Sequence, residues 1–245
     1  MKTAVKTTAL TKKFGTKTAV DKIDLEIYEG EIFGLLGVNG AGKTTTIRML
    51  TGLSAVTDGE AVVFGLDVKK DMQKIKSLIN VSTQETAVAG NLTVKENLEF
   101  IAKIYDIPKD AMQTRVKDII TSLGLDEVEK QKAKTLSGGW QRRLSIAMAL
   151  ITDPKLIFLD EPTLGLDVLA RRELWKVVTG LKGKVTIVLT THYMEEVEAL
   201  CDRIAVMANG KIMAVDTAEK LKEQTGKNTL EDAFIEIVEK GGTQK

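Results

Sequence analysis

The sequence is poor in cysteine, histidine and aromatic residues, and each shortage excludes a class of site. One cysteine, Cys201, and one histidine, His192, occur among 245 residues. A disulfide within the chain, a cysteine-based zinc or iron–sulfur site and a multi-histidine metal centre are therefore excluded. Aromatic residues make up 4 % of the chain, so leucine, isoleucine and valine must supply most of the core.

Long apolar runs and an excess of one charge are also missing. The apolar run at residues 32–38 is far shorter than the ~20 residues that cross a bilayer, and residues 1–4 do not resemble a secretory signal. Lys and Arg number 35 against 34 Asp and Glu, a net charge of +1 rather than the basic excess of a nucleic-acid binder. We therefore expect a cytoplasmic globular protein that binds no nucleic acid and reaches a membrane only through a partner.

Strand and helix patterns alternate along most of the chain, which is typical of an α/β fold with a mainly parallel sheet. Strands separated by turns near the N-terminus predict an antiparallel edge, and Asn209-Gly210 predicts a hairpin near the other end. The predicted strands are residues 25–28, 32–36, 61–64, 79–82, 156–159, 185–189, 204–207 and 212–215. Helices are predicted at residues 43–53, 168–181, 194–200, 218–224 and 230–240, with another from about residue 141.

A helical segment interrupts this alternation. Thr93 and Glu96 have the spacing of a capping box, and the helix that they begin ends before Pro108. A second helix ends at Gly124. We predict one domain, in which residues 85–135 form a helical insert. The remaining parts are a core of about residues 1–84 and 136–215, with an N-terminal antiparallel β subdomain, and a helical tail at 216–245.

Residues 37–44 fit the Gly-x-x-x-x-Gly-Lys-Ser/Thr phosphate loop and stand between a predicted strand and a helix, as its mechanism requires. Glycines let successive N–H groups point at phosphate oxygens, Lys43 supplies a cation, and Thr44 offers a hydroxyl to Mg²⁺. The alternative is a glycine-rich turn without a ligand. The predicted nucleotide-binding residues here are Gly37, Val38, Asn39, Gly40, Ala41, Gly42, Lys43, Thr44 and Thr45.

Two carboxylates follow the apolar strand at residues 156–159, at the sheet edge where ligands bind in α/β folds. We expect Asp160 to hold Mg²⁺ and Glu161 to accept a proton from the attacking water. Acidic residues also begin many ordinary loops, so the phosphate loop is what favours the catalytic interpretation.

Leu136-Ser137-Gly138-Gly139 resembles the signature sequence of ATP-binding cassette (ABC) proteins, and the resemblance spans nearly the whole chain. It implies a phosphate-loop NTPase (RecA-like) fold and an ATPase whose substrate is ATP with Mg²⁺. It also implies a head-to-tail dimer, in which the phosphate loop of one subunit and Ser137, Gly138 and Gly139 of the other close over each ATP.

The same resemblance implies roles for four further residues. Phe14 would stack on adenine, Gln84 would touch Mg²⁺ and move the helical insert, and Asp167 would lie in the loop that follows the catalytic strand. His192, after a predicted strand, would hold the water in line for attack. The alternatives are core packing for Phe14, an ordinary loop amide for Gln84, and a packed or surface histidine.

One residue departs from the family pattern. Trp140 occupies the place after Gly139 where the family signature usually has glutamine, and Gln141 comes one place later. Indole has one donor and no acceptor, so Trp140 cannot replace the hydrogen bonding of glutamine. Packing at the helix start and contact with nucleotide across the dimer both remain open.

Local sequences around residues 161–167, 190–203 and 230–234 resemble the ATP-binding subunits of ABC-2 type exporters for drugs, polysaccharides or lipids. This implies a separate transmembrane permease, docked on the helical insert and residues 85–92, and a location on the cytoplasmic face of the membrane. The alternative is a soluble ABC ATPase that acts on nucleic acid or ribosomes. A GTPase is disfavoured because no Asn/Thr-Lys-x-Asp motif follows the phosphate loop.

Overall fold

Two β-sheets organise the chain in the computed structural model, which describes residues 1–242. The last residues of the predicted tail, 243–245, lie outside the described residues. In chain order the strands are β1 (Thr3–Phe14), β2 (Lys17–Tyr28), β3 (Ile32–Leu36), β4 (Asp58–Val63), β5 (Leu66–Asp67), β6 (Ile79–Ser82), β7 (Leu156–Asp160), β8 (Thr186–Thr191), β9 (Arg203–Ala208) and β10 (Lys211–Asp216).

Helices connect and cover these strands. They are α1 (Lys43–Leu50), α2 (Met72–Lys76), α3 (Val94–Ile104), α4 (Lys109–Ser122), α5 (Gly138–Leu150), α6 (Val168–Thr179), α7 (Met194–Leu200), α8 (Ala218–Thr225) and α9 (Leu230–Gly242), with short 3₁₀ turns at Asp126–Val128 and Ala133–Thr135. None of the helices within residues 1–242 combines the length and the apolar character that a membrane span needs.

The larger sheet has the strand order β10-β9-β3-β8-β7-β6, in which every neighbouring pair except β10 and β9 is parallel. Leu36 of β3 pairs with Thr191 of β8, and Asp160 of β7 pairs with Thr190. The carboxyl ends of these three strands therefore meet at one edge of the sheet. The smaller sheet is antiparallel, with the order β2-β1-β4-β5.

Alternate residues of the central strands point into two clusters of buried apolar side chains. Ile157 and Leu159 belong to the cluster that includes the helical insert and α5, whereas Leu156 and Phe158 belong to the one that includes the antiparallel sheet and α1. The parallel sheet is covered on both faces, so its strands are continuous apolar runs. The predicted fold class, a phosphate-loop α/β core with an antiparallel β region and an inserted helical segment, is confirmed.

The capping box that begins the helical segment is present. Thr93 Oγ1 accepts from the Glu96 backbone N–H at 3.2 Å, and Glu96 Oε2 accepts from the Thr93 N–H at 2.7 Å. Gly124 follows α4 with a φ of +61°, as expected of a residue that ends a helix. The division of the chain into core, insert and tail stays a prediction.

Several element predictions were incomplete: α2 and β5 were not predicted, and β2 begins at Lys17 rather than at Leu25. β1 was not predicted, and β4 begins at Asp58 where a turn was expected. A Cβ atom at Gly59 would lie 2.1 Å from the carbonyl oxygen of Ala9, so this glycine allows close approach of β4 to β1 rather than a chain reversal. The helix predicted from about residue 141 begins at Gly138, with Ser137 as its N-cap. Its first turn was missed because the two glycines that begin it have low helix propensity.

Candidate nucleotide-binding site

The phosphate loop, residues 37–44, lies between the end of β3 and the first turn of α1. Gly40 and Gly42 have φ angles of +82° and +111°, in the region that favours glycine. A Cβ atom at Gly42 would lie 2.7 Å from the Ala19 carbonyl oxygen, and one at Gly37 would lie 2.3 Å from the Met207 carbonyl oxygen. The loop therefore needs glycine both for its own conformation and for its packing against neighbouring backbone.

A cavity of about 780 Å³ opens above this loop. Its volume is within the range of small-molecule binding sites. Most predicted site residues line it, namely Phe14, Asn39, Gly40, Ala41, Gly42, Lys43, Thr44, Thr45, Gln84, Glu161 and His192. Lys17, Thr18, Ala19, Leu164, Asn209 and Gly210 also line it and were not predicted. The Asn209-Gly210 hairpin turn reaches the cavity because the Gly210 N–H donates to the Ala41 carbonyl oxygen.

Glu161 stands between Lys43 and His192, two of the side chains that line the cavity. Its Oε1 lies 3.2 Å from Lys43 Nζ, and its Oε2 lies 2.8 Å from His192 Nδ1. Lys43 Nζ also donates to the Gly37 carbonyl oxygen at 2.7 Å. Lys43 and Glu161 are almost fully buried, so their charges interact with little screening by water. Sequence-predicted residues from three separate segments therefore form one hydrogen-bonded group.

The backbone of Glu161 is held in an unusual conformation. Its φ is +50°, which a residue other than glycine seldom adopts outside turns and functional sites. The Glu161 N–H donates to both the carbonyl oxygen and the hydroxyl of Thr190, at 3.1 and 3.0 Å. Thr190, which sequence reasoning missed, thereby holds the strained residue that carries the carboxylate.

The side chains predicted to hold Mg²⁺ come together beside the cavity. Thr44 Oγ1 donates to Asp160 Oδ1 at 3.0 Å, and the Thr190 hydroxyl donates to the same oxygen. Thr44, Asp160 and Gln84 line a pocket of about 370 Å³ that shares Thr44 and Gln84 with the main cavity. Hydroxyl, carboxylate and amide oxygens are hard ligands of the kind that Mg²⁺ takes, so these residues fit the ion.

Phe14 lies at the rim of the cavity with 54 % of its surface exposed. Lys12 Nζ lies 4.8 Å from the centre of its ring. The ring is therefore not a core residue, and one face is available to a flat aromatic ligand.

The signature residues lie apart from the cavity that contains Lys43. Ser137 precedes α5 as its N-cap, and within the described chain its hydroxyl makes no capping bond. Asp167 caps α6, since its Oδ1 accepts from the Ala170 N–H at 2.9 Å. A Cβ atom at Gly139 would lie 3.0 Å from Ala170 Cβ, so the N-termini of α5 and α6 are neighbours. Neither Asp167 nor residues 137–139 line the 780 Å³ cavity.

Two buried charged residues near the site were not found from the sequence. Arg142 of α5 donates to the carbonyl oxygens of Thr83 and Gln84. Glu196 of α7 accepts from Trp175 Nε1 at 3.4 Å. Burial raises the pKa of Glu196, whereas the hydroxyls of Thr191 and Thr163 lower it. Their only sequence signal is a charge at a helix position that faces the core.

Trp140 is half-buried at the start of α5 and packs against the larger apolar cluster. The guanidinium carbon of Arg143 lies 4.7 Å from the centre of its indole ring. These contacts give Trp140 a packing role within the subunit.

Comparison with known proteins identifies the family. Residues 20–164, more than half of the chain, match the family described as ABC transporter. The chain belongs to this family. The resemblance seen in the signature residues is therefore confirmed, and the family is one of ATP-binding proteins.

Several curated proteins are similar to this member of the ABC transporter family. "Probable multidrug ABC transporter ATP-binding protein YbhF" of Escherichia coli is 38 % identical over 242 residues, which cover 96 % of this chain and 42 % of that protein. "Daunorubicin/doxorubicin resistance ATP-binding protein DrrA" of Streptomyces peucetius is 40 % identical, covering 93 % of this chain and 69 % of that protein. "Linearmycin resistance ATP-binding protein LnrL" of Bacillus subtilis is 40 % identical, covering 89 % of this chain and 71 % of that protein. The chain thus spans less than half the length of the first of these relatives.

Solved structures show the same fold. The "ATP binding subunit of ABC transporter" matches with a TM-score of 0.83 and 24 % identity, over 96 % of this chain and 99 % of that chain. The cbiO1 protein from Clostridium perfringens, part of the ABC transporter complex cbiONQ, matches with a TM-score of 0.82 and 24 % identity. The match covers 92 % of this chain and 97 % of that chain.

Proposed function

We propose that this chain binds and hydrolyses ATP as the motor subunit of an ABC-2 type exporter. The observation that carries the proposal is the position of the Glu161 carboxylate, between Lys43 and His192 and beside a glycine-rich phosphate loop. A carboxylate there can accept a proton from water at the same place where a cation and loop N–H groups bind phosphate.

Each residue has a role in this reaction that follows from its position. Glu161 accepts the proton of the attacking water, and His192 orients the water and the carboxylate. Lys43 exchanges its contact with the Gly37 carbonyl oxygen for the terminal phosphates of ATP. Phe14 stacks on adenine at the cavity rim. Mg²⁺, held by Thr44, Asp160 and Gln84, would neutralise phosphate charge.

The separation of the signature residues from the cavity supports a dimer. Ser137, Gly138 and Gly139 stand at the N-terminus of α5, where unpaired N–H groups attract an anion. Because they do not line the cavity of their own subunit, a second copy is needed to bring them to ATP. ATP then binds two surfaces in the closed pair and one in the open subunit, so it favours closure. We propose a homodimer with Asp167 at the same interface.

The membrane side of the proposal comes from the relatives and from an exposed patch. DrrA and LnrL are named for resistance to drugs, and YbhF is named as a multidrug transporter protein. Phe100, Ile104 and Tyr105 of the helical insert expose about half of their surface, and Tyr105 lines a small pocket together with Ala87 of residues 85–92. We propose that a transmembrane permease docks there, which places the chain on the cytoplasmic face of the membrane.

Two measurements test the proposal. Purified chain with Mg-ATP should release phosphate, and tagged chain solubilised from membranes should copurify with a protein that has several apolar spans. Cofractionation with ribosomes or nucleic acid instead of such a protein would overturn the transport assignment. Absence of phosphate release with the permease present would overturn the ATPase assignment.

A further inference from the structure

Arg142 forms a buried contact that the reaction described above does not use. Its Nη1 donates to the Thr83 carbonyl oxygen at 2.7 Å and its Nη2 to that of Gln84 at 2.6 Å. The residue is 5 % exposed. None of the ion pairs found within residues 1–242 includes it, so two carbonyl groups take the place of a carboxylate partner.

Burying this guanidinium is costly, which makes its position informative. Burial lowers the pKa of Arg142, and the negative charges of Asp160 and Glu196 raise it. Arginine nevertheless keeps its proton in proteins, so the buried group is a cation. The exposed carbonyls of a loop can be satisfied by water at no such cost. The planar fork instead fixes two successive peptide groups at once.

The segment that Arg142 holds carries Gln84. In the described structure, residues 83–89 belong to neither a helix nor a strand, so the backbone around Gln84 receives little support from regular hydrogen bonding. The Gln84 side chain is exposed and lines both the ATP cavity and the pocket shared with Thr44 and Asp160. The direction of that side chain is therefore set by the peptide groups that Arg142 holds.

A second contact joins the same two elements. Ser145 Oγ lies 2.9 Å from Ser82 Oγ, at the end of β6. Arg142 and Ser145 are three residues apart and lie on the same face of α5. This face thus holds the chain from Ser82 to Gln84. Arg142 lies about one helical turn after Gly138, near the N-terminus of α5, and that N-terminus carries the signature residues.

We propose that Arg142 is a positioning residue that fixes Gln84 and makes it move together with the N-terminus of α5. The proposal rests on the proposed function, because it links the ATP site of one subunit to the surface that meets the ATP of the other. Displacement of Ser137, Gly138 and Gly139 by a ligand is transmitted over one helical turn to Gln84.

Arg142→Lys tests this role because it keeps the charge but loses the planar fork. We expect kcat for ATP hydrolysis to fall roughly 10- to 100-fold, as a misplaced site group does, with KM within about twofold of wild type. In a Gln84→Ala background, the same substitution should lower kcat by less than about twofold further, because its target is already absent. An equal fall in both backgrounds would overturn the proposal.

Limited proteolysis without nucleotide gives a second readout, because cleavage needs a mobile, exposed backbone. In Arg142→Lys, a glutamate-specific protease should cleave after Glu85, an exposed residue, about tenfold faster than in wild type. Arg115→Lys, on α4, is the matched control and should change neither the cleavage rate nor kcat. An unchanged rate of cleavage after Glu85 would refute the role of Arg142.

The two assays separate this inference from the proposed function. A wild-type chain that releases no phosphate from Mg-ATP with the permease present refutes the ATPase assignment, and the proteolysis experiment still decides whether Arg142 holds Gln84. If thermal denaturation shows no folding transition for Arg142→Lys, Arg142→Gln replaces it in both assays. This variant removes the buried charge and keeps an amide donor, and the expected outcomes are the same.

Discussion

His192 Nδ1 lies 2.8 Å from Glu161 Oε2, while the other carboxylate oxygen of Glu161 faces Lys43 Nζ at 3.2 Å. The carboxylate thus contacts a cation at the end of the phosphate loop and an imidazole at the end of β8. Phosphate oxygens that reach Lys43 must compete with this carboxylate. Binding of ATP therefore also determines how free Glu161 is to accept a proton.

Glu161→Gln should separate binding from hydrolysis. The amide keeps the shape of the side chain and can still bond His192, but it cannot accept a proton from water. We expect kcat to fall by about 10²-fold or more, with ATP affinity retained and a nucleotide-bound dimer accumulating. Phosphate release and light scattering measure the two effects.

Glu60→Gln on β4 is the control for that substitution, because this carboxylate is exposed and lies outside the cavity. It should retain wild-type turnover. Near-normal turnover in Glu161→Gln, or a monomer under saturating Mg-ATP, would contradict the assignment of Glu161 as the base.

Lys43→Ala should weaken ATP binding itself. The substitution removes the cation that faces the phosphates and leaves Glu161 buried without its ion pair. Wild type should gain about 3 kcal/mol of stability at a ligand concentration of ~100 Kd, and the variant should lose most of that gain. Thermal unfolding with and without Mg-ATP measures it.

Lys117→Ala on α4, where the lysine is exposed, controls for removal of a positive charge. Its nucleotide-dependent stabilisation should equal that of wild type. If Lys43→Ala kept the full stabilisation by Mg-ATP, the phosphate-binding role of Lys43 would be wrong.

The sequence predicted which residues meet at the cavity better than it predicted the residues that hold them in place. The phosphate loop, Asp160 and Glu161 lie on short segments whose spacing and glycine content are set by local backbone needs, so they are visible in the sequence. Their convergence at the ends of β3, β7 and β8 follows from parallel pairing. His192 could be placed for the same reason.

The residues that hold the site depend on contacts between distant segments. Thr190 of β8 donates a hydrogen bond to Asp160 of the neighbouring strand β7. Arg142 donates to the carbonyl oxygen of Gln84, which is 58 positions away in the sequence. No periodic pattern marks such residues, since arginine on a helix is usually solvated. β1 was missed because its lysines and threonines give a weak apolar alternation, although Thr7 and Thr11 are buried. Pairing with β2 and β4 decides the conformation of β1.

Trp140→Gln distinguishes packing from contact with nucleotide. The indole packs against the apolar cluster and stacks with Arg143, so its loss should lower the free energy of unfolding by about 1 kcal/mol. ATP turnover should stay within about twofold of wild type. Urea unfolding and an ATPase assay measure these effects, and a rise in KM for ATP without loss of stability would favour the nucleotide contact instead.

Glu196 should make stability depend on pH. Burial raises its pKa, and the nearby charge of Glu161 raises it further, against the hydroxyls of Thr191 and Thr163 and the indole of Trp175. Because the folded chain holds this proton more tightly than the unfolded chain, the stabilisation is complete below the ordinary carboxyl pKa of 4.5. It is lost as the pH rises through the pKa of the folded state.

Glu196→Gln mimics the protonated acid and should remove this pH dependence. Glutamine keeps the shape of the side chain and is neutral at every pH, as the protonated acid is. As the pH rises from about 5 to about 8, urea unfolding should show that the free energy of unfolding of wild type falls relative to that of the variant. Glu195→Gln, at a carboxylate that is 80 % exposed on the same helix, should follow wild type throughout. If the free energies of unfolding of wild type and Glu196→Gln differed by the same amount at every pH, Glu196 would stay in one protonation state over this range. Any pH dependence of stability would then come from another group.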